Sequence, residues 1–143
     1  MRRVVFRKFG EADVLEIENV TSRPPGTGEI AVRVAFAGIN YADVLARRGF
    51  YKWAPPPPTC VGFELSGTVS AVGEGVTSHR VGDRIAAVSR FGAYAEEVIV
   101  EEAQVAPGKT VDLPERSIRP GRRTRRGSAH GGPPRGARRA DVT

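Results

Sequence analysis

From Ile30 to Phe36 the chain reads Ile-Ala-Val-Arg-Val-Ala-Phe, a large apolar residue at every second position. A period of two puts alternate side chains on opposite faces of a strand and cannot gather one face on a helix. The same signal returns along the chain. Val14 to Val20 sets Leu15 and Ile17 against Glu16 and Glu18, which predicts a half-buried strand. Further strands are expected at Arg3–Phe9, Leu65–Val72, Arg84–Val88 and Ala93–Val100. Between them stand turn signals: Gly10, Arg23-Pro-Pro-Gly-Thr-Gly28, Gly73-Glu-Gly75 and Val81-Gly82-Asp83. Six or seven short strands at regular spacing predict a mainly β domain, a barrel or a sandwich.

One stretch breaks the alternation. Ala37 to Gly67 holds the single Trp, the single Cys and a run of four prolines, with Asn40, Tyr51 and Glu64 among Gly and apolar neighbours. An irregular, polar-dotted segment held between strands is how a scaffold presents binding groups. Asn40 is placed to cap a short helix at Tyr41–Arg47, with Asp43 in its first turn and Gly49 as its stop. Pro55 to Pro58 must be extended and outside any sheet interior.

Charge divides the 143 residues unevenly. Residues 1–115 carry thirteen Lys/Arg against fifteen Asp/Glu, whereas 116–143 carry nine Arg and one Asp. The high pI therefore describes the tail alone. That tail has five Gly, three Pro and two branched aliphatics, so burial cannot offset its chain entropy and disorder is expected. The first domain is expected to span 1–115. One cysteine, Cys60, rules out an intramolecular disulfide and suits a reducing compartment. No signal peptide or membrane span is expected, and cytoplasmic is the default location.

Several patterns imitate chemistry. Gly26-Thr-Gly28 and Gly73-Glu-Gly75 resemble a dinucleotide fingerprint, which works only between a strand and a helix, where free amides meet pyrophosphate. Here both lie beside strands and are expected to be turns. Zinc needs three or four ligands. One Cys and two His, at 79 and 130, do not supply them, so Cys60 reads as a small core residue and His79 as a solvent-facing turn residue. Asn40 and Tyr51 are the candidate pair: a phenol can donate to a carbonyl oxygen gaining charge, and an amide can orient a ligand. The bland alternative is that Asn40 only caps and Tyr51 only packs beside Trp53. Glu64, between Phe63 and Leu65, is expected to be buried and to need a partner. The Arg-rich tail could hold phosphate backbones non-specifically, but it lacks aromatics for stacking on bases.

Gly38-x-Asn40, Arg48-Gly-x-Tyr51, the proline run, Gly62-x-Glu64, Val72-Gly-x-Gly75-Val76, Gly82-Asp83-Arg84 and Gly92-x-Tyr94-Ala95-Glu96 occur in order over 1–115. This series resembles the N-terminal half of zinc-free quinone oxidoreductases in the medium-chain dehydrogenase/reductase superfamily, nearest the vesicle-amine-transport-like branch. The resemblance implies a GroES-like, partly open β-barrel with one or two short helices. It implies hydride transfer from NADPH to a quinone or enone without zinc. Zinc-dependent relatives carry Cys where Asn40 stands and His where Phe63 stands. By the same resemblance, Tyr51 and Asn40 are the catalytic candidates, and Asn40, Gly62 and Glu64 would meet the cofactor. A homodimer is implied for a full-length parent.

Relatives continue after a Leu-Pro-Glu-like segment into a Rossmann half, whereas here Leu113-Pro114-Glu115 leads into the tail. A βαβ unit takes about thirty residues or more, so no cofactor-binding half is expected in 116–143. The tail reads as a truncation product or an out-of-frame translation of GC-rich DNA, and the isolated chain as inactive and marginally stable. Two other classes stay open: a nucleic-acid-binding protein acting through the tail, and a small structural or interaction barrel.

Overall fold

The computed structural model describes residues 1–106. The expected boundary at 115 and the tail, with its out-of-frame and nucleic-acid readings, lie outside them. Six strands and one α-helix occur among the described residues: β1 (Arg2–Phe6), β2 (Leu15–Asn19), β3 (Glu29–Ala37), α1 (Tyr41–Arg47), β4 (Glu64–Val72), β5 (Arg84–Val88) and β6 (Glu97–Glu101). Short 3-10 turns lie at Ala12–Val14 and Glu102–Gln104. The domain is mainly β, as the alternation predicts.

Four strands form one antiparallel sheet in the order β5-β4-β3-β6, and β1 pairs with β2 in a separate antiparallel hairpin. The alternating β3 sits inside the larger sheet because both its edges are paired. Its Ile30 and Val32 are fully buried and join Leu65, Val69, Ile85, Val98 and Val100 in the main core. The hairpin is tied to this sheet by Val4 N–H to the Tyr94 carbonyl (2.8 Å) and Glu96 N–H to the Arg2 carbonyl (3.0 Å). The two sheets do not join into a closed barrel.

A second core cluster lies under the helix: Phe6, Val14, Ala46 and Val61, with Tyr51, Ala54 and Tyr94 packed against it. It seats the Ala37–Gly67 stretch on the scaffold. Arg47 is buried at the helix end and donates to the Gly10 carbonyl (2.5 Å), while Gly49 takes a positive φ of 81° against the Phe9 ring. Phe6 and Thr59 exchange both backbone hydrogen bonds at 3.1 Å, which fixes the chain just beyond the prolines to β1.

Three local expectations change. The strand expected at Arg3–Phe9 stops at Phe6, because the following residues bend toward the helix, where Gly10 N–H bonds the Arg47 carbonyl (3.1 Å). Residues 93–96 do not extend β6; their backbone groups are used by β1 and by Val61 and Gly62. In β2 the buried face is not the apolar one: Ile17 is 71% exposed, while Glu18 is half-buried under the guanidinium groups of Arg3 (2.6 Å) and Arg7 (2.5 Å). Two charge partners across the hairpin hold the carboxylate inward where no core lies beneath Ile17 to draw it in.

Candidate functional site

The helix begins where the sequence places it. Asn40 is the N-cap residue in extended backbone (φ −110°, ψ 153°), and its N–H donates to Asp43 Oδ2 at 2.8 Å. The side chain of Asn40 also reaches across to β4: Nδ2 donates to Glu64 Oε1 at 3.2 Å. Glu64 is therefore not buried, as its apolar neighbours suggest; it is exposed at the first position of β4, while Leu65 turns into the core. Its partner is Asn40. The Glu64 carboxylate rests on Gly38, where a Cβ would collide with it, and Gly38 N–H bonds the Glu64 carbonyl at 3.1 Å.

Tyr51 is half-buried in a group of four rings. Its ring lies edge-on to Trp53 (5.4 Å between centroids), Phe63 (5.8 Å) and Phe91 (6.5 Å), and Phe63 meets Phe91 at 5.0 Å. Trp53 is 67% exposed, with Lys52 Nζ 4.5 Å above its ring. Phe63 is the link between the candidates: it touches Tyr51 and precedes Glu64, which binds Asn40. Phe91 comes from a distant loop and carried no signal in the sequence.

Gly62 is buried with φ +104°, a conformation L side chains rarely adopt. Its N–H goes to Asp43 Oδ1 (2.9 Å), and its carbonyl accepts from Ser89 Oγ and Ala93 N–H (3.2 Å each). Its polar groups are spent inside the protein, so its part in any site is to shape the turn that delivers Phe63 and Glu64. Asp43 is a buried carboxylate that also accepts from the Tyr94 hydroxyl (2.8 Å). Burial, and then the bond to Asp43, push the Tyr94 phenol up from its ordinary value. The sequence marks Asp43 only as favouring the positive helix end. Its other partners come from positions 62 and 94, which local patterning cannot bring to it.

Beside Glu64 opens a cavity of about 600 Å³, lined among others by Phe36, Gly38, Ser66, Val88 and Val105. Glu64 thus faces an apolar hollow on one side and Asn40 on the other. Cys60 is half-buried with Sγ 3.6 Å from the Tyr94 carbonyl, and burial pushes its thiol up, as suits a packing residue. His79 does not face solvent: its side chain is 12% exposed and Nδ1 lies 3.5 Å from Glu102 Oε1. Glu102 also accepts the N–H groups of Thr77 (3.2 Å) and Ser78 (2.7 Å), just before His79, which holds the two segments together.

Among the described residues no three His, Cys, Asp or Glu side chains gather to hold a metal. Of the two positions where the resemblance sets zinc ligands, Phe63 offers no donor atom and Asn40 carries a neutral amide bonded to Glu64. These residues do not fit zinc. Glu64 is exposed and bonded to Asn40, and the Tyr51 phenol has no hydrogen bond among the described residues. The two glycine turns, however, keep their amides: Gly26 N–H bonds Glu29 Oε2 (2.7 Å), Gly28 N–H the Glu74 carbonyl (2.7 Å) and Gly73 N–H the Glu29 carbonyl (2.8 Å).

An open β-domain with one capped helix and a polar pair beside a ring cluster defines a class, and comparison with known proteins identifies it. Residues 26–114 match the alcohol dehydrogenase GroES-like domain, and the chain belongs to that family. Curated relatives include the synaptic vesicle membrane protein VAT-1 homolog of Rattus norvegicus, 40% identical over 73% of this chain and 26% of its own length. The quinone oxidoreductase-like protein 2 of Mus musculus is 44% identical over 62% of this chain and 25% of its own. Among solved structures, Escherichia coli quinone oxidoreductase complexed with NADPH aligns with a TM-score of 0.69 and 36% identity, covering 74% of this chain and 32% of that one. The chain spans about a quarter of the length of these curated relatives. No helix of the described residues is long and apolar enough to cross a membrane.

Proposed function

We propose that this domain is the acceptor-side portion of a zinc-independent, NADPH-dependent quinone or enone reductase. The observation that carries the reading is the exposed Asn40–Glu64 pair beside the Tyr51 ring cluster, on a domain whose family includes oxidoreductases. The chemistry that NADPH supplies when bound is a hydride. Asn40 orients the nicotinamide end by its carboxamide, and Glu64 holds Asn40 in place. Gly62 contributes the turn on which Glu64 is carried. The Tyr51 phenol, which has no hydrogen bond among the described residues, donates to the acceptor carbonyl oxygen as that oxygen gains charge. Phe63, Phe91 and Trp53 fix the ring that carries this phenol and exclude water beside it.

The 143-residue chain alone is expected to be inactive. Dinucleotide binding must offset several kcal/mol of lost rigid-body freedom, and contacts at one end with the glycine-turn amides already spent do not supply that. The reading also places the protein in the cytoplasm, with a small quinone or enone as its partner. Two measurements test it. NADPH oxidation with 1,4-naphthoquinone should be undetectable in this chain, and turnover would overturn the inactivity. Binding of the same quinone should quench Trp53, the single tryptophan, saturably, and Tyr51→Phe should weaken it by about fivefold, the worth of one hydrogen bond of about 1 kcal/mol. Quenching that never saturates, or that Tyr51→Phe leaves unchanged, would remove Tyr51 from the site.

A further inference from the structure

We infer that Asp43 is the positioning residue of this site, a buried carboxylate that fixes Asn40 and the Gly62–Glu64 segment relative to each other. The inference rests on the proposed reading for its functional meaning but not for its geometry. Asp43 is 5% exposed and its two oxygens receive three hydrogen bonds. Oδ1 takes the Gly62 N–H at 2.9 Å, while Oδ2 takes the Asn40 N–H and the Tyr94 hydroxyl, each at 2.8 Å. The donors belong to three separate stretches: the helix cap, the turn entering β4 and the loop before β6.

An ionised carboxylate is acceptor-only, so it can serve three donors at once; an asparagine there would turn one acceptor into a donor facing another donor. Arg47, on the same helix, is turned to the Gly10 carbonyl and Glu11. The three donors therefore satisfy its buried oxygens, and such a group holds its partners tightly because losing any of them leaves a buried acceptor with an unmet desolvation cost. A phenol is a donor throughout the neutral range, and the upward push on Tyr94 extends that into alkaline pH.

The consequence falls on residues Asp43 does not itself expose. Asn40 Nδ2 reaches Glu64 Oε1 at 3.2 Å only if the cap and the start of β4 stand at the right separation. Asp43 holds the backbone of Asn40 directly and that of Glu64 two residues upstream, at Gly62. It acts through them and is not a catalytic residue.

The test follows the Asn40 side-chain amide by 15N–1H spectra of the full 143-residue chain. Asp43→Asn should speed exchange of the Asn40 Nδ2 hydrogens with water about fivefold, while amides of the four-stranded sheet keep their protection. A merely structural role would instead lower protection across the sheet and the site together. Tyr94→Phe removes one donor of three and should give a smaller acceleration in the same direction, and it carries the test if Asp43→Asn does not fold. Unchanged Asn40 exchange in a folded Asp43→Asn, or in Tyr94→Phe, overturns the inference. Quinone quenching of Trp53 is read separately. Its absence would sink the proposed function while leaving the Asn40 readout to decide the role of Asp43.

Discussion

Two glycine-bearing regions of this molecule look alike on paper and differ in what they leave open. In the turns at 26–28 and 73–75, the amides of Gly26, Gly28 and Gly73 are consumed by Glu29 and Glu74; Gly73 lies hard against the Gly26 carbonyl, and Gly28 and Gly75 take positive φ. In the stretch from Gly38 to Glu64, the glycines shape the backbone while the side chains of Asn40, Tyr51 and Glu64 remain at the surface. A phosphate-binding fingerprint is a statement about free donors, so the first region fails as a site despite its spelling. The second has no recognised spelling of its own from composition, yet it is where the proposed chemistry lies.

The contrast can be broken at its strongest point by Gly73→Ala. A Cβ there would fall on the Gly26 carbonyl oxygen, backbone that cannot step aside. The variant should lose about 2–3 kcal/mol in urea unfolding, typical of overpacking, with quinone quenching of Trp53 unaffected. A stability within error of wild type would mean that the turn is looser than described. Next in size is Tyr94→Phe, which removes one bond to Asp43 and should cost about 1 kcal/mol near pH 7. The phenol is raised in the folded state, so its contribution is fully present below the ordinary value of 10 and is lost as pH rises beyond it. Wild-type stability should therefore fall above pH 10 more steeply than that of Tyr94→Phe, and parallel curves would remove Tyr94 as the cause.

Smallest is Glu29→Gln in the spent turn. Arg23 and the Gly26 amide hold the Glu29 carboxyl at about 2 rather than 4.5. A lowered value means stability present above 4.5 and lost as pH falls toward 2. Because the pair is exposed, solvent screening keeps the effect slight. The melting temperature of Glu29→Gln should change less across that window than wild type, and an identical acid profile would show that the ion pair contributes nothing.

Much of this was legible in the chain. The alternation at Ile30–Phe36 named the central strand, and Asn40 with Gly49 bounded the helix, because period and capping act over a few residues. The hairpin misled for the same reason: Leu15 and Ile17 alternate as a buried face should, but burial depends on what lies opposite, and Arg3 and Arg7 reward Glu18 instead. Glu64 was misplaced because its apolar neighbours say nothing of which face it takes. The proposed site pair was read as residue types and through the family resemblance. The Asn40–Glu64 bond, the Phe91 contact and the bonds of Asp43 to Gly62 and Tyr94 join residues 19 or more apart, and no local pattern encodes such meetings.

Gly38 leaves room for the Glu64 carboxylate to lie across the strand end. Any side chain at 38 would strike that carboxylate, and because Glu64 is exposed its side chain would swing aside rather than the backbone yield. Enlarging position 38 would therefore show first as a lost grip on Asn40, with the fold intact.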